Sequence, residues 1–217
     1  HLTRISFIKD MKDRFTQKII YKFVSYVLVY PVFRFIFRGK VIGLENIPKD
    51  TTFIIVSNHG SLLDPPFLGH ALGLRVSFMA KSELFHIPIL SSIISACGAY
   101  PVRRGIINTS SIKTATEKLL TNNIIGIFID GTRQINGRVN KPKKGAALIS
   151  AKTKKLLLPV AIINSHRLVR FKFLIPFFNK VVIKIGKPIN YPLTSSKSEL
   201  NKTTELLKDC INTLFDF

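Results

Sequence analysis

From Arg38 onward, short runs of β-branched and aromatic residues alternate with longer stretches whose apolar positions recur at helical spacing. The first pattern reads as buried strand and the second as amphipathic helix. Strands are predicted at 38–42, Phe53–Ser57, Val76–Ala80, Ala99–Val102, Ile124–Ile129, Leu156–Ile163 and Val181–Ile185, with a weaker one at 167–173. Helices are predicted at Pro65–Gly73, Ser82–Phe85, Ile89–Ala96, Asn108–Thr121, Lys144–Ala151 and Lys197–Phe217. Apolar strands separated by helices define an α/β class, a single domain with a mixed central β-sheet flanked by helices. No repeat and no Gly/Ser linker divides residues 38–217, so they read as one domain.

Residues 1–37 follow a different pattern. The first 18 are polar and basic, with Arg4, Lys9, Lys12, Arg14 and Lys18, and 19–37 are mostly aliphatic and aromatic. The uncharged stretch Phe23–Phe33 is eleven residues long, whereas crossing a bilayer takes about 20. Lys22, Pro31 and Arg34 interrupt or bound it, and no small-residue cleavage site closes it, which argues against a signal peptide. The segment is predicted as an N-terminal pair of amphipathic, interfacial helices. Lys22 and Arg34 would extend their charges to headgroups while Tyr21, Tyr26 and Tyr30 sit at the interface. A helix packed on its own domain would give the same pattern.

Composition narrows the partners. The 217 residues suffice for one well-buried domain. Lys and Arg number 33 against 12 Asp and Glu, a net charge of +21, which attracts polyanions. Mean hydropathy is +0.24 and Phe occurs 17 times. Basic and apolar together point to an anionic membrane surface, with no specific nucleic acid as partner. Cys97 and Cys210 are too far apart for a CxxC site, so no metal centre and no disulfide framework is expected, and a reducing cytoplasm is the simplest compartment.

The chemistry concentrates after the second predicted strand, in Ser57-Asn58-His59-Gly60-Ser61-Leu62-Leu63-Asp64-Pro65-Pro66. On a regular helix, five residues turn the chain by about 500°, leaving His59 and Asp64 roughly 140° apart. They face each other only across a turn, which Gly60 permits. One reading makes Asp64 the N-cap of a helix whose first residue is Pro65, with His59 an ordinary loop histidine. The other makes them a dyad, imidazole accepting a proton and the carboxylate fixing its tautomer.

Further blocks favour the dyad. Asn58-His59 through Asp64 resembles the Asn-His-x4-Asp motif of the glycerophospholipid acyltransferases, specifically the 1-acyl-glycerol-3-phosphate acyltransferases. Gly98–Gly105, with Arg104 on the motif's arginine, resembles a second block of that family. Phe128-Ile129-Asp130-Gly131-Thr132-Arg133 resembles its Phe-Pro-Glu-Gly-Thr-Arg block, and Leu158–Ile162 a fourth. The chain departs at Ile129 for Pro and Asp130 for Glu; the shorter side chain loses about 1.5 Å of reach.

The resemblance implies acyl transfer from acyl-CoA or acyl carrier protein, used as co-substrates with no cofactor, to a lysophospholipid acceptor. It makes His59 and Asp64 the catalytic residues. Asn58, Arg103, Arg104, Asp130, Gly131, Thr132, Arg133 and Lys144 become substrate-binding candidates. Arg104 and Arg133 are the first choices for the acceptor phosphate, because guanidinium groups bind phosphate bidentately. Arg103 and Arg104 alternate faces if they continue a strand, so one of the two enters the site. The expected location is the cytoplasmic face of a membrane, peripheral or monotopic. Acylation of glycerol 3-phosphate or another lysolipid is the alternative within the family. A non-catalytic basic protein binding membrane or nucleic acid is the alternative outside it. His70, His86 and His166 have no carboxylate at a telling spacing and read as structural or surface histidines.

Overall fold

A computed structural model describes residues 15–102, 109–169 and 180–216. Its elements in chain order are α1 (Phe15–Ile36), β1 (Lys40–Ile42), β2 (Phe53–Ser57), α2 (Asp64–Leu72), β3 (Val76–Lys81), α3 (Pro88–Ala96) and β4 (Tyr100–Val102). There follow α4 (Thr109–Leu120), β5 (Ile124–Phe128), α5 (Gly145–Thr153), β6 (Leu156–Ile163), β7 (Val182–Ile185) and α6 (Lys197–Thr213). Short 3-10 turns occupy Leu44–Asn46, Ser82–His86 and Ser165–Val169.

The strands form one seven-stranded sheet in the order β1-β7-β6-β2-β5-β3-β4. From β6 to β4 all neighbours are parallel, and the antiparallel β6–β7 pair makes the sheet mixed. β2 is central and entirely buried, which is why its sequence is a continuous apolar run rather than an alternating one. Its side chains still divide between two layers. Phe53 and Ile55 join Phe67, Leu68 and Leu72 of α2 and Phe33 of α1 on one face. Ile54 and Val56 join Ala115 and Leu119 of α4, Ile149 of α5, and Leu207 and Ile211 of α6 on the other. In a parallel sheet covered on both faces, loops at the carboxyl ends of the strands are where ligands have access.

Two expectations need correction. The described part of the N-terminal segment is one helix of 22 residues, Phe15–Ile36, where a pair of helices was expected. It passes through Pro31 because the turns on either side widen to π-helix, with Tyr30 N–H bonded to Ser25 O and Phe37 N–H to Val32 O. That widening accommodates a ring that would otherwise meet the carbonyl four residues back. With a mean hydropathy of 1.5 over its best window, α1 is long and apolar enough to cross a membrane, which the eleven-residue uncharged stretch did not suggest. It is nonetheless held lengthwise on α2. Tyr21 Oη donates to Gly69 O and Leu74 O at 2.9 and 2.6 Å, and Ser25 Oγ lies 2.9 Å from His70 Nδ1. Its other side leaves Phe15, Phe23, Tyr26 and Phe35 exposed.

The second correction concerns the weak strand at 167–173. Its described part lies in the Ser165–Val169 turn, because Asn164 takes a left-handed backbone (φ 67°) and diverts the chain from β6. Residues 170–173, like the remainder of the mixed apolar and basic run up to Phe178, lie outside the described residues.

Candidate active site

The parallel register sets Ser57 of β2 beside Phe128 of β5 and Val160 of β6. The loops after all three strands therefore emerge at one edge of the sheet. Asn58 and His59 follow β2 directly.

The segment from Ser61 turns immediately, with Asp64 N–H donating to Ser61 O at 3.3 Å and Leu63 N–H to Ser61 Oγ at 3.2 Å. This turn brings Asp64 back onto the residues before it. Asp64 Oδ2 lies 2.8 Å from His59 Nδ1 and accepts Gly60 N–H at 2.7 Å and Ser61 N–H at 2.8 Å. The N-cap expected of Asp64 is corrected accordingly: the cap position is Leu63, and Asp64 is the first residue of α2. Its carboxylate is turned away from the helix N–H groups toward the His59 loop. With Nδ1 donating to a carboxylate, Nε2 is left as the acceptor nitrogen of the neutral ring.

The His59 ring is held on its face as well. Phe128 stacks on it at a centroid distance of 4.0 Å and 14° between planes, and Phe78 stacks on Phe128 at 5.3 Å and 15°. Gly126 is needed for that arrangement, since a Cβ there would lie 2.1 Å from a Phe78 ring carbon. His59 retains 8% exposure, whereas Asp64 has none. A partly accessible imidazole backed by a sealed carboxylate suits proton transfer to a bound substrate.

The loop after β5 carries the second motif carboxylate. Asp130 is buried, with Oδ1 accepting Lys141 N–H at 2.8 Å and Oδ2 accepting Asn140 N–H at 3.4 Å. Burial raises its pKa above the ordinary carboxylate value, and the two amides together with the Lys143 and Lys208 charges oppose the rise. The hydrogen bonds of this carboxylate to the described residues are both to backbone, at Asn140 and Lys141. Gly131 then takes φ +69°, a turn that suits glycine. Its Cα lies close beneath Lys143, where a Cβ would come within 3.1 Å of the ammonium nitrogen. Gly131, Thr132, Arg133 and Lys144 are all exposed at this edge. Arg103 and Arg104 lie outside the described residues.

Asn58 occupies a different position from the other binding candidates. It is fully buried, and its amide is used up inside the protein. Nδ2 donates to Gly137 O at 2.7 Å and Ile162 O at 2.8 Å, and Oδ1 accepts Ile162 N–H at 2.7 Å.

Sequence reasoning missed Gln134, whose N–H donates to His59 O at 2.8 Å, and Gly137. The Asn136-Gly137 dipeptide was a turn signal available to find the latter. It also missed Phe128 as the stacking partner, although Phe128 opens the third motif. His70 packs among Tyr26, Tyr30 and Phe33 and joins α2 to α1, the structural role expected of it. No group of three or more His, Cys, Asp or Glu residues that could hold a metal ion occurs among the described residues.

A paired histidine and aspartate at the end of a central strand, backed by a parallel sheet, form an arrangement able to activate a hydroxyl. Comparison with known proteins gives it a family. The model of the Acyltransferase family matches residues 38–163, and the chain belongs to that family. It is 34% identical over 181 residues to a 1-acyl-sn-glycerol-3-phosphate acyltransferase of Bacillus subtilis, covering 81% of this chain and 87% of that protein. It is 29% identical over 197 residues to a chloroplast protein of the same name from Brassica napus, covering 87% of this chain and 54% of the relative. The chain thus spans about half the length of that plant relative. The crystal structure of the lysophosphatidic acid acyltransferase PlsC of Thermotoga maritima superposes with a TM-score of 0.69 at 31% identity, covering 95% of this chain and 83% of that one.

Proposed function

We propose that this protein transfers a fatty acyl group from an acyl thioester, acyl-CoA or acyl carrier protein, to the free hydroxyl of 1-acyl-glycerol-3-phosphate, giving phosphatidic acid. The observation that carries the reading is the 2.8 Å contact between His59 Nδ1 and the sealed Asp64 carboxylate, which leaves Nε2 to accept a proton. His59 takes the hydroxyl proton as the oxygen attacks the thioester carbonyl, and Asp64 stabilises the imidazolium. The C–O bond forms and the C–S bond breaks as the tetrahedral intermediate collapses. The imidazolium then returns its proton to the departing thiolate. General-base assistance of this kind contributes about 10²- to 10⁴-fold in rate.

Arg133, exposed on the Gly131 turn, is the acceptor-phosphate partner in this reading, together with Arg104 or Arg103 by the family resemblance. The exposed apolar side of α1 and the net charge of +21 support attachment to an anionic membrane surface. The domain would work there from the cytoplasmic face.

The test is acyl transfer to lysophosphatidic acid in vesicles, supplied in turn with coenzyme A and carrier-protein thioesters, for the wild type beside His59→Ala. Transfer by the wild type, with a loss of at least about 10²-fold in His59→Ala, is the expected result. Transfer only to glycerol 3-phosphate or another lysolipid would move the acceptor and keep the mechanism. A wild type that transfers nothing, or a His59→Ala variant with full activity, would sink the reading.

A further inference from the structure

The amide of Asn58 joins three segments that are far apart in sequence: the end of β2, the end of β6 through both the N–H and C=O of Ile162, and the turn at Gly137. That turn closes on itself through Gly137 N–H to Gln134 O at 3.3 Å, and Gln134 N–H returns to His59 O at 2.8 Å. The His59 backbone is therefore clasped from both sides by the loop after β5, once through its own carbonyl and once through the neighbouring side chain. The Gly137 turn and Gly60 of the His59 loop are both crowded against His166, in the turn that follows β6. A Cβ on Gly60 would lie 2.7 Å from His166 N, and one on Gly137 2.3 Å from His166 Nδ1.

We infer that Asn58 is a positioning residue, not a substrate contact: it fixes the His59 backbone so that the imidazole meets both Asp64 and the acceptor hydroxyl. The inference rests on the acyl-transfer reading for its kinetic consequence, but its structural consequence is independent of any substrate. A primary amide suits the position because one planar group makes both donations and accepts from Ile162 N–H at 2.7 Å and from Ser57 Oγ at 3.3 Å. The substitution Asn58→Asp would keep the acceptor for Ile162 N–H and lose both donations. The substitution Asn58→Ala would leave the Ile162 and Gly137 carbonyls buried without their partner. Misplacing a catalytic group by about 1 Å costs on the order of 10²-fold in rate, so loosening this clasp should appear in turnover before it appears in affinity.

The experiment compares Asn58→Ala and Asn58→Asp with Ser150→Ala, a control that also removes a buried side-chain bond to backbone, Ser150 Oγ to Lys155 O at 2.6 Å. The melting temperature of each variant is measured first, and kcat and KM for lysophosphatidic acid are then measured well below every melting transition. The low-field proton resonance of His59 Nδ1–H is recorded without substrate. The expected result is a kcat lower by about 10- to 100-fold in Asn58→Ala, with acceptor KM within about threefold of wild type and the His59 resonance shifted or lost. Ser150→Ala should lose thermal stability and keep both kcat and the resonance. Should Asn58→Ala fail to fold, Asn58→Ser, which shortens the side chain without burying a charge, carries the comparison. A raised KM with unaltered kcat would make Asn58 a substrate contact and overturn the inference, as would an unaltered His59 resonance. If the wild type transfers no acyl group, the proposed reaction falls, and the resonance alone decides whether Asn58 positions His59.

Discussion

The segments that follow β2 and β5 each bury one motif carboxylate, Asp64 at the start of α2 and Asp130 in a loop, and suspend it from backbone amides, yet the two are bonded differently. Asp64 receives two amides and an imidazole on a single oxygen. Asp130 receives one amide on each oxygen, both from the far end of its own loop. The first arrangement couples a carboxylate to a titratable side chain that reaches the surface. The second folds a loop. A carboxylate inside a family motif is thus not by itself evidence of chemistry; its partners decide what it does.

That contrast is broken most directly by neutralising each carboxylate in turn. Asp64→Asn should reduce kcat by about 10³-fold or more, since an amide beside Nδ1 permits the wrong tautomer, as in serine-protease triads. Asp130→Asn should cost about tenfold or less, through a loosened loop. Steady-state acyl transfer by the two variants checks this, and equal losses would mean that Asp130 belongs to the catalytic apparatus after all.

The second expected effect is on the frame around the dyad. Gly60 lies against the backbone of His166, and backbone yields far less easily than the tip of a side chain. Gly60→Ala should therefore destabilise the protein by about 1–3 kcal/mol and lower kcat with it, read by thermal melting and kinetics together. A neutral effect would mean that the turn carrying His166 moves freely and does not support His59.

How much of this was legible beforehand follows from the range of each interaction. The buried strands are written locally, so β2 and β6 were found with their boundaries; the contact between His59 and Asp64 was one of two local readings, and the resemblance of the surrounding motifs decided for it. The roles of Asn58 and Asp130 depend on partners 79 and 104 residues away for Asn58, and 10 and 11 for Asp130. In both cases the motif gives the residue's place in the chain, while its backbone partners come only from tertiary folding. The continuity of α1 was lost for a different reason. Pro31 is a reliable helix breaker only while the ladder stays i to i+4, and nothing local announces the π turns that flank it.

Arg133 sharpens the comparison at the substrate end. It is exposed where Asp130, three residues earlier, and Gly137, four residues later, are buried. Arg133→Ala should raise the acceptor KM by about tenfold while leaving kcat within about threefold, the signature of lost ground-state binding. A fall in kcat alone would place the phosphate elsewhere.

The smallest effect concerns acid stability, and its sign separates the two roles of Asp130. Burial raises its folded pKa above the ordinary value of 3.8, against the pull of two amides and two lysines. A raised folded pKa means that the folded state holds the proton more tightly. The stabilisation this gives is fully present below pH 3.8 and is lost as pH rises through the folded pKa. Asn cannot titrate, so the advantage of wild type over Asp130→Asn should be greatest in acid and shrink toward neutrality. What persists at neutral pH is the loss of one accepted hydrogen bond less the relief of a buried charge, a net difference of about 1 kcal/mol or less. Chemical denaturation at a series of pH values from 3 to 7 measures the difference directly. If the advantage of wild type instead grew toward neutrality, the ionised carboxylate would be stabilised in the fold, and the amides of Asn140 and Lys141 with the charges of Lys143 and Lys208 would outweigh burial.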